Sequence, residues 1–110
     1  MSEVNKVKAI KDTVALFIIV NAGFNEQIID LVQDCGAKGA TIIPGRGTGA
    51  KFTTFLGMHY EPEREIILSV LKQDIAIAIM QGVKEKFGQA TPTNGICFTL
   101  PVEDATFYNN

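Results

Sequence analysis

Two short runs in this chain, Val14–Val20 and Ile66–Leu71, are apolar at every position but Ser69. Successive side chains of a strand point to opposite faces, so a strand without polar alternation has to be covered on both sides. In the first run Val14, Leu16, Ile18 and Val20 form one register and Ala15, Phe17 and Ile19 the other. In the second, Ile66, Leu68 and Val70 oppose Ile67, Ser69 and Leu71. Both runs are rich in β-branched residues and too short for buried helices, so they read as strands, over Thr13–Val20 and Glu65–Leu71.

The remaining pattern supplies two helices and two more strands. A helix is predicted over Asn25–Asp34, where Ile28, Ile29, Val32 and Cys35 recur at three- and four-residue steps on one face. Gly36 is placed to end it, because glycine enters the left-handed region without strain. Thr41-Ile42-Ile43 opens a strand that Pro44, lacking an N–H, confines to a sheet edge or terminates. Gly45–Glu63 is a long glycine-bearing connection. Asp74 is placed to cap a second helix, Ile75–Phe87, whose stripe is Ile75, Ile79, Val83 and Phe87 and which Gly88 closes. Gln89–Asn94 is a loop before a last strand, Ile96–Leu100, stopped by Pro101. Residues 1–12 are polar and read as a leader ahead of one domain over 13–110. The order β-α-β-β-α-β predicts an α+β, ferredoxin-like fold, a four-stranded antiparallel sheet with both helices on one face and the first and third strands central.

Two helices cover one side of such a sheet, yet the central strands are apolar on both. Large exposed apolar patches are rare on soluble monomers. The bare face therefore predicts a closed homo-oligomer; a leader folded over that face is the alternative.

Among 110 residues, 10 Lys and Arg stand against 12 Asp and Glu, a net charge of -2, which disfavours nucleic acid as main partner. Val14–Ala22 and Ile75–Met80 fall short of the ~20 residues of a membrane-spanning helix. The first residues lack the apolar core of a secretory signal. Cys35 and Cys97 have no metal-type or CxxC spacing and read as small core hydrophobes. A cytoplasmic setting is expected.

Chemistry has few carriers. Gly45-Arg46-Gly47-Thr48-Gly49 either lets backbone N–H groups approach an anion beside the Arg46 fork or serves as a hinge; it has neither Walker A spacing nor a following helix. Phe52, Phe55, Leu56, Met58 and Tyr60 make the following loop, Lys51–Pro62, sticky, and with Lys51 they read as contacts for a partner protein or a neighbouring subunit. Thr91, Thr93, Asn94 and the bare N–H of Gly95 either line a phosphate or ribose pocket or form an ordinary turn. His59 is the only histidine, with no cluster around it. Glu61, Glu63 and Glu65 with Arg64 read as a solvated strand entry. No catalytic residues are assigned.

The segment Gly36–Gly49 (GAKGATIIPGRGTG) resembles the second-strand region of PII-like nitrogen regulatory proteins. Gly95–Glu103 (GICFTLPVE) resembles their last strand, and Glu61–Ile66 their re-entry into the third. The resemblance runs from about residue 13 to 103. It implies a non-enzymatic, cytoplasmic signal-transduction protein, a homotrimer whose sheets face the threefold axis. It implies ATP, ADP or AMP bound as effector in clefts between subunits, and a T-loop after the second strand that contacts a target such as a transporter or enzyme. Gly45, Arg46 and Gly47 match the start of that loop; Thr93, Asn94 and Gly95 match the phosphate-facing loop. The chain departs from the family at Gly95, where a lysine is usual, and in Val102–Asn110, which has no Lys or Arg. It also lacks the apical tyrosine suited to uridylylation. These departures point to a mono- or diphosphate nucleotide, or another small effector. A trimeric metal-binding protein or enzyme on the same scaffold, and a purely structural interaction module, are the alternatives.

Overall fold

The computed structural model describes residues 12–46, 53–55, 58–60 and 63–105. The elements are β1 (Thr13–Asn21), α1 (Asn25–Asp34), β2 (Thr41–Arg46), β3 (Thr53–Phe55), β4 (Met58–Tyr60), β5 (Glu63–Lys72), α2 (Gln73–Lys86) and β6 (Ile96–Pro101). β2, β5, β1 and β6 form one antiparallel sheet in that spatial order. The two wholly apolar runs are its centre, and the prolines sit on its edges. β2 passes through Pro44 to Arg46 rather than ending there. An edge position tolerates this because one side of the strand has no ladder to donate to. β3 and β4 pair as a small separate hairpin, Thr53 opposite Tyr60 and Phe55 opposite Met58, within the expected connection.

One sheet face and both helices enclose the core. Leu16, Ile18, Val20, Ile28, Val32, Ile67, Ala76, Ile79 and Val83 are fully buried there. Each large side chain among them contributes about 1.5–3 kcal/mol by leaving water. The predicted stripes of both helices are the packed faces, with Ile75 and Phe87 half-buried at the ends of the second.

Among the described residues, no helix covers the other face. Strand register sets Ala15, Phe17 and Ile19 beside Ile66, Leu68 and Val70 on one side and Ile96, Phe98 and Leu100 on the other. Ile43 extends the row onto β2. Val70 is 43% exposed, Phe98 40% and Leu100 50%. The Phe17 and Phe98 rings stack in the middle of this face, 5.1 Å apart and 9° from parallel. Of the leader, residues 1–11 lie outside the described residues. Asp12 accepts a hydrogen bond from the Gln73 N–H (2.7 Å) through its carbonyl at the start of α2.

Helix ends follow local chemistry with two differences. Gly36 takes φ +107°, Ala37 N–H donates to Val32 O (3.1 Å) and Gly36 N–H to Gln33 O (3.0 Å). That is a Schellman closure, which satisfies carbonyls the helix itself leaves open. Replacing Gly36 by alanine, with room for the methyl group but not the backbone angle, is expected to cost about 1–2 kcal/mol in urea unfolding. Gly36→Asn should recover part of it. Asp74 does not cap α2. The helix starts two residues earlier than expected, at Gln73 after Lys72, and Asp74 accepts the Ile75 N–H from inside the first turn (2.8 Å). Its charge there still favours the positive end of the helix. Gly88 follows the end of α2 without a left-handed angle, and its carbonyl starts the next turn by accepting from Thr91.

Candidate ligand site at one end of the sheet

The antiparallel register brings four chain segments to one end of the sheet. Gly45 of β2 lies opposite Arg64 of β5, and Arg64 lies opposite Asn21 of β1. Asn21 in turn reaches the loop before β6, donating its N–H to Thr93 O and its side-chain amide to Pro92 O, both at 2.9 Å. The two segments singled out in the sequence thus share one sheet end, spanned by Arg64 and Asn21. By strand spacing they stand about 14 Å apart.

Arg64 is half-buried rather than solvated. One of its terminal amines, Nη1, donates to Asn94 O at 3.4 Å, while its Nε–H is buried with no acceptor among the described residues. Glu65 is half-buried too and accepts both contacts of the Asn25 amide, at 3.2 and 3.1 Å, beside the start of α1. Strand alternation sets Arg64 and Gly45 on the helix-free side, and Arg46, Glu63 and Glu65 on the other. A cavity of about 360 Å³ at this end is lined by Ala22, Pro44, Gly45, Arg46, Glu63, Arg64 and Glu65.

The loop before β6 spends the donors it was expected to offer. Asn94 N–H donates to Thr91 O (3.0 Å) and Gly95 N–H to Phe87 O (2.7 Å). Asn94 takes φ 51°, a left-handed angle asparagine tolerates, which turns its carbonyl toward Arg64. Thr93 is 2% exposed. Gly95 is required by space: a Cβ there would collide with the Phe87 carbonyl oxygen.

The sequence matches the family model for nitrogen regulatory protein P-II over residues 14–108. The chain belongs to the P-II family. No curated protein matches it at a significant level. Among solved structures it is similar to CPII, a nitrogen regulatory PII-like protein from Thiomonas intermedia K12. The form bound to ADP, AMP and acetate gives a TM-score of 0.67 at 22% identity, covering 86% of this chain and 89% of that one. The form bound to ADP and bicarbonate gives 0.65 at 21%, covering 83% and 86%. The B. subtilis GlnK–ATP complex gives 0.63 at 16%, covering 82% and 84%. At these identities the likeness speaks for the fold, the ferredoxin-like arrangement expected from element order.

In this P-II chain, Gly45, Arg46, Thr93, Asn94 and Gly95 lie at one end of the sheet, and Arg64 joins them unforeseen. Its place between two glutamates hid it, since only long-range pairing turns a strand entry into a bridge. Gly47, Lys51 and Phe52 lie outside the described residues, as do the side chains of Phe55, Met58, His59 and Tyr60. Among the described residues no group of three His, Cys, Asp or Glu is arranged to hold a metal. Among them, too, no helix is long and apolar enough to cross a membrane. Cys35 and Cys97 are half-buried free thiols, and burial pushes the Cys97 thiol above its ordinary pKa. A larger cavity, about 710 Å³, lies between α2 and β6 against Ile77, Met80, Val83 and Cys97.

Proposed function

We propose that this P-II chain is a trimeric, non-enzymatic regulator of the cytoplasm. In this reading it binds an adenine nucleotide, AMP, ADP or ATP, or a related small effector, at clefts between subunits. It then acts on a target protein through the loop 45–63. The observation that carries the reading is where that loop is anchored. Gly45 and Arg46 at its start pair with Arg64 and Glu63 at its end, so both ends are clamped at the candidate site. A ligand bound there acts on the loop's two roots at once. Regulation follows only if the ligand prefers one loop arrangement, since equal affinity for two states shifts nothing.

The helix-free apolar face supports assembly, because hiding it against sister chains removes the exposed patch. Family membership supports the regulatory role, and the nucleotide complexes of CPII and GlnK support the class of effector. Isothermal calorimetry with AMP, ADP and ATP tests the reading. Saturable binding of at least one, at one site per chain, is expected. Absence of heat with all of them up to millimolar ligand overturns the nucleotide assignment.

A further inference from the structure

We infer that Arg64 is the group that reads the oxyanion of the effector, a phosphate of a nucleotide or a free oxyanion of the same chemistry. The inference rests on the effector-binding reading above and deepens it.

Three observations carry it. First, the glycine loop before β6 cannot cradle an anion with the N–H groups of Asn94 and Gly95, because both are already donated inside the protomer. Second, no side chain can be housed at position 95 without moving the Phe87 carbonyl, so that loop gains no cation of its own there. Third, Arg64 lines the cavity at this end with a donor in reserve: Nε–H has no acceptor among the described residues, and Nη1 holds Asn94 O at a long 3.4 Å. A buried donor without a partner is costly, and a weak neutral acceptor is readily exchanged for a charged one. Turning the Nε–Nη edge toward the cavity would give an oxyanion the two parallel N–H bonds that guanidinium offers best. Two carboxylates, Glu63 and Glu65, line the same cavity, and each is matched by a neighbour: Glu65 accepts from the Asn25 amide, and Glu63 lies opposite Arg46 in the strand register. Arg64 is also the second residue of β5, at the foot of the loop. An anion that draws it from Asn94 therefore pulls on the loop's root.

The test is calorimetry of the full chain, wild type and the variants Arg64→Met and Arg64→Lys, with adenosine, AMP, ADP and inorganic pyrophosphate. Native mass is recorded for each variant. Arg64→Met should weaken AMP and ADP by roughly ten- to hundredfold, leave adenosine unchanged and leave subunit number unchanged. Arg64→Lys should recover part of the loss, since it keeps the charge but not the fork. Binding of pyrophosphate by wild type and its loss in Arg64→Met would support a free oxyanion as sufficient ligand. The same loss confined to AMP and ADP would support the nucleotide. If wild type binds AMP or ADP and Arg64→Met binds them equally, the role of Arg64 is overturned while the nucleotide reading stands. Equal weakening of adenosine and AMP overturns it as well, by showing a structural role. Arg64-dependent binding of pyrophosphate with no nucleotide bound sustains Arg64 and overturns the nucleotide. No binding of any of the four overturns both.

Discussion

Phe98→Glu is expected to reduce the native mass of the protein to that of one chain, 12.0 kDa, with its circular dichroism unchanged. Phe98 is 40% exposed in the protomer, so a glutamate there can reach water in the isolated chain. Against a sister chain it cannot. It would sit beside Phe17, Ile19 and Ile96 with no cation in register, and an unpaired charge buried in an apolar contact costs several kcal/mol. The symmetry of a closed ring repeats that cost in every interface. Val70→Lys, at a position 43% exposed on the same face, should do the same. Ile77→Lys is the control: Ile77 is 59% exposed on α2, on the other side of the sheet, and the change should leave the mass alone. Sedimentation velocity at micromolar protein reads all three. Retention of the wild-type mass by both Phe98→Glu and Val70→Lys would remove the helix-free face from the assembly.

Gly95→Lys, which restores the residue usual in the resembling family, is expected to destabilise the fold rather than improve ligand binding. Gly95 is buried, its N–H donates to Phe87 O, and a Cβ would strike that same carbonyl and come within 3.4 Å of Val83 Cγ1. Both obstacles are parts of the well-packed end of α2, so relief requires a backbone shift. Overpacking of this kind costs about 1–3 kcal/mol, to which loss of the Gly95–Phe87 hydrogen bond adds about 1 kcal/mol. Gly95→Ala should show most of the effect, because the clash begins at Cβ. Urea unfolding measures it. An unchanged midpoint for Gly95→Ala would show that the loop relaxes freely, and would reopen position 95 to a basic side chain.

Much of the fold could be read from local pattern, and the reasons are visible in particular residues. Val14–Val20 and Ile66–Leu71 declared themselves central because nothing polar interrupts them, and Pro44 and Pro101 declared the edges by lacking a donor. Gly36 marked the end of α1 because the Schellman closure has a local sequence cause. Asp74 places the start of α2 two residues late: a side chain suited to capping also suits the first turn of a helix, and Lys72 is the flanking residue. The β3–β4 hairpin went unread because its short strands carry no Asn-Gly or Asp-Gly turn between them. The candidate site was only half legible. Gly45, Arg46, Thr93, Asn94 and Gly95 stand out by composition. Arg64 becomes part of the site through pairing with Gly45 and Asn21 and through a contact thirty positions away, none of which a window of sequence contains. The N–H of Gly95 reads as available until the carbonyl of Phe87, at the far end of the preceding helix, is known to take it.

The central claim is that sister chains cover the helix-free sheet face and so build the clefts in which an effector sits. Native mass spectrometry of gently purified protein tests it most directly, because one spectrum reports subunit number and retained ligand together. A species of three times 12.0 kDa is expected. A spectrum with only the 12.0 kDa chain at micromolar concentration would contradict it.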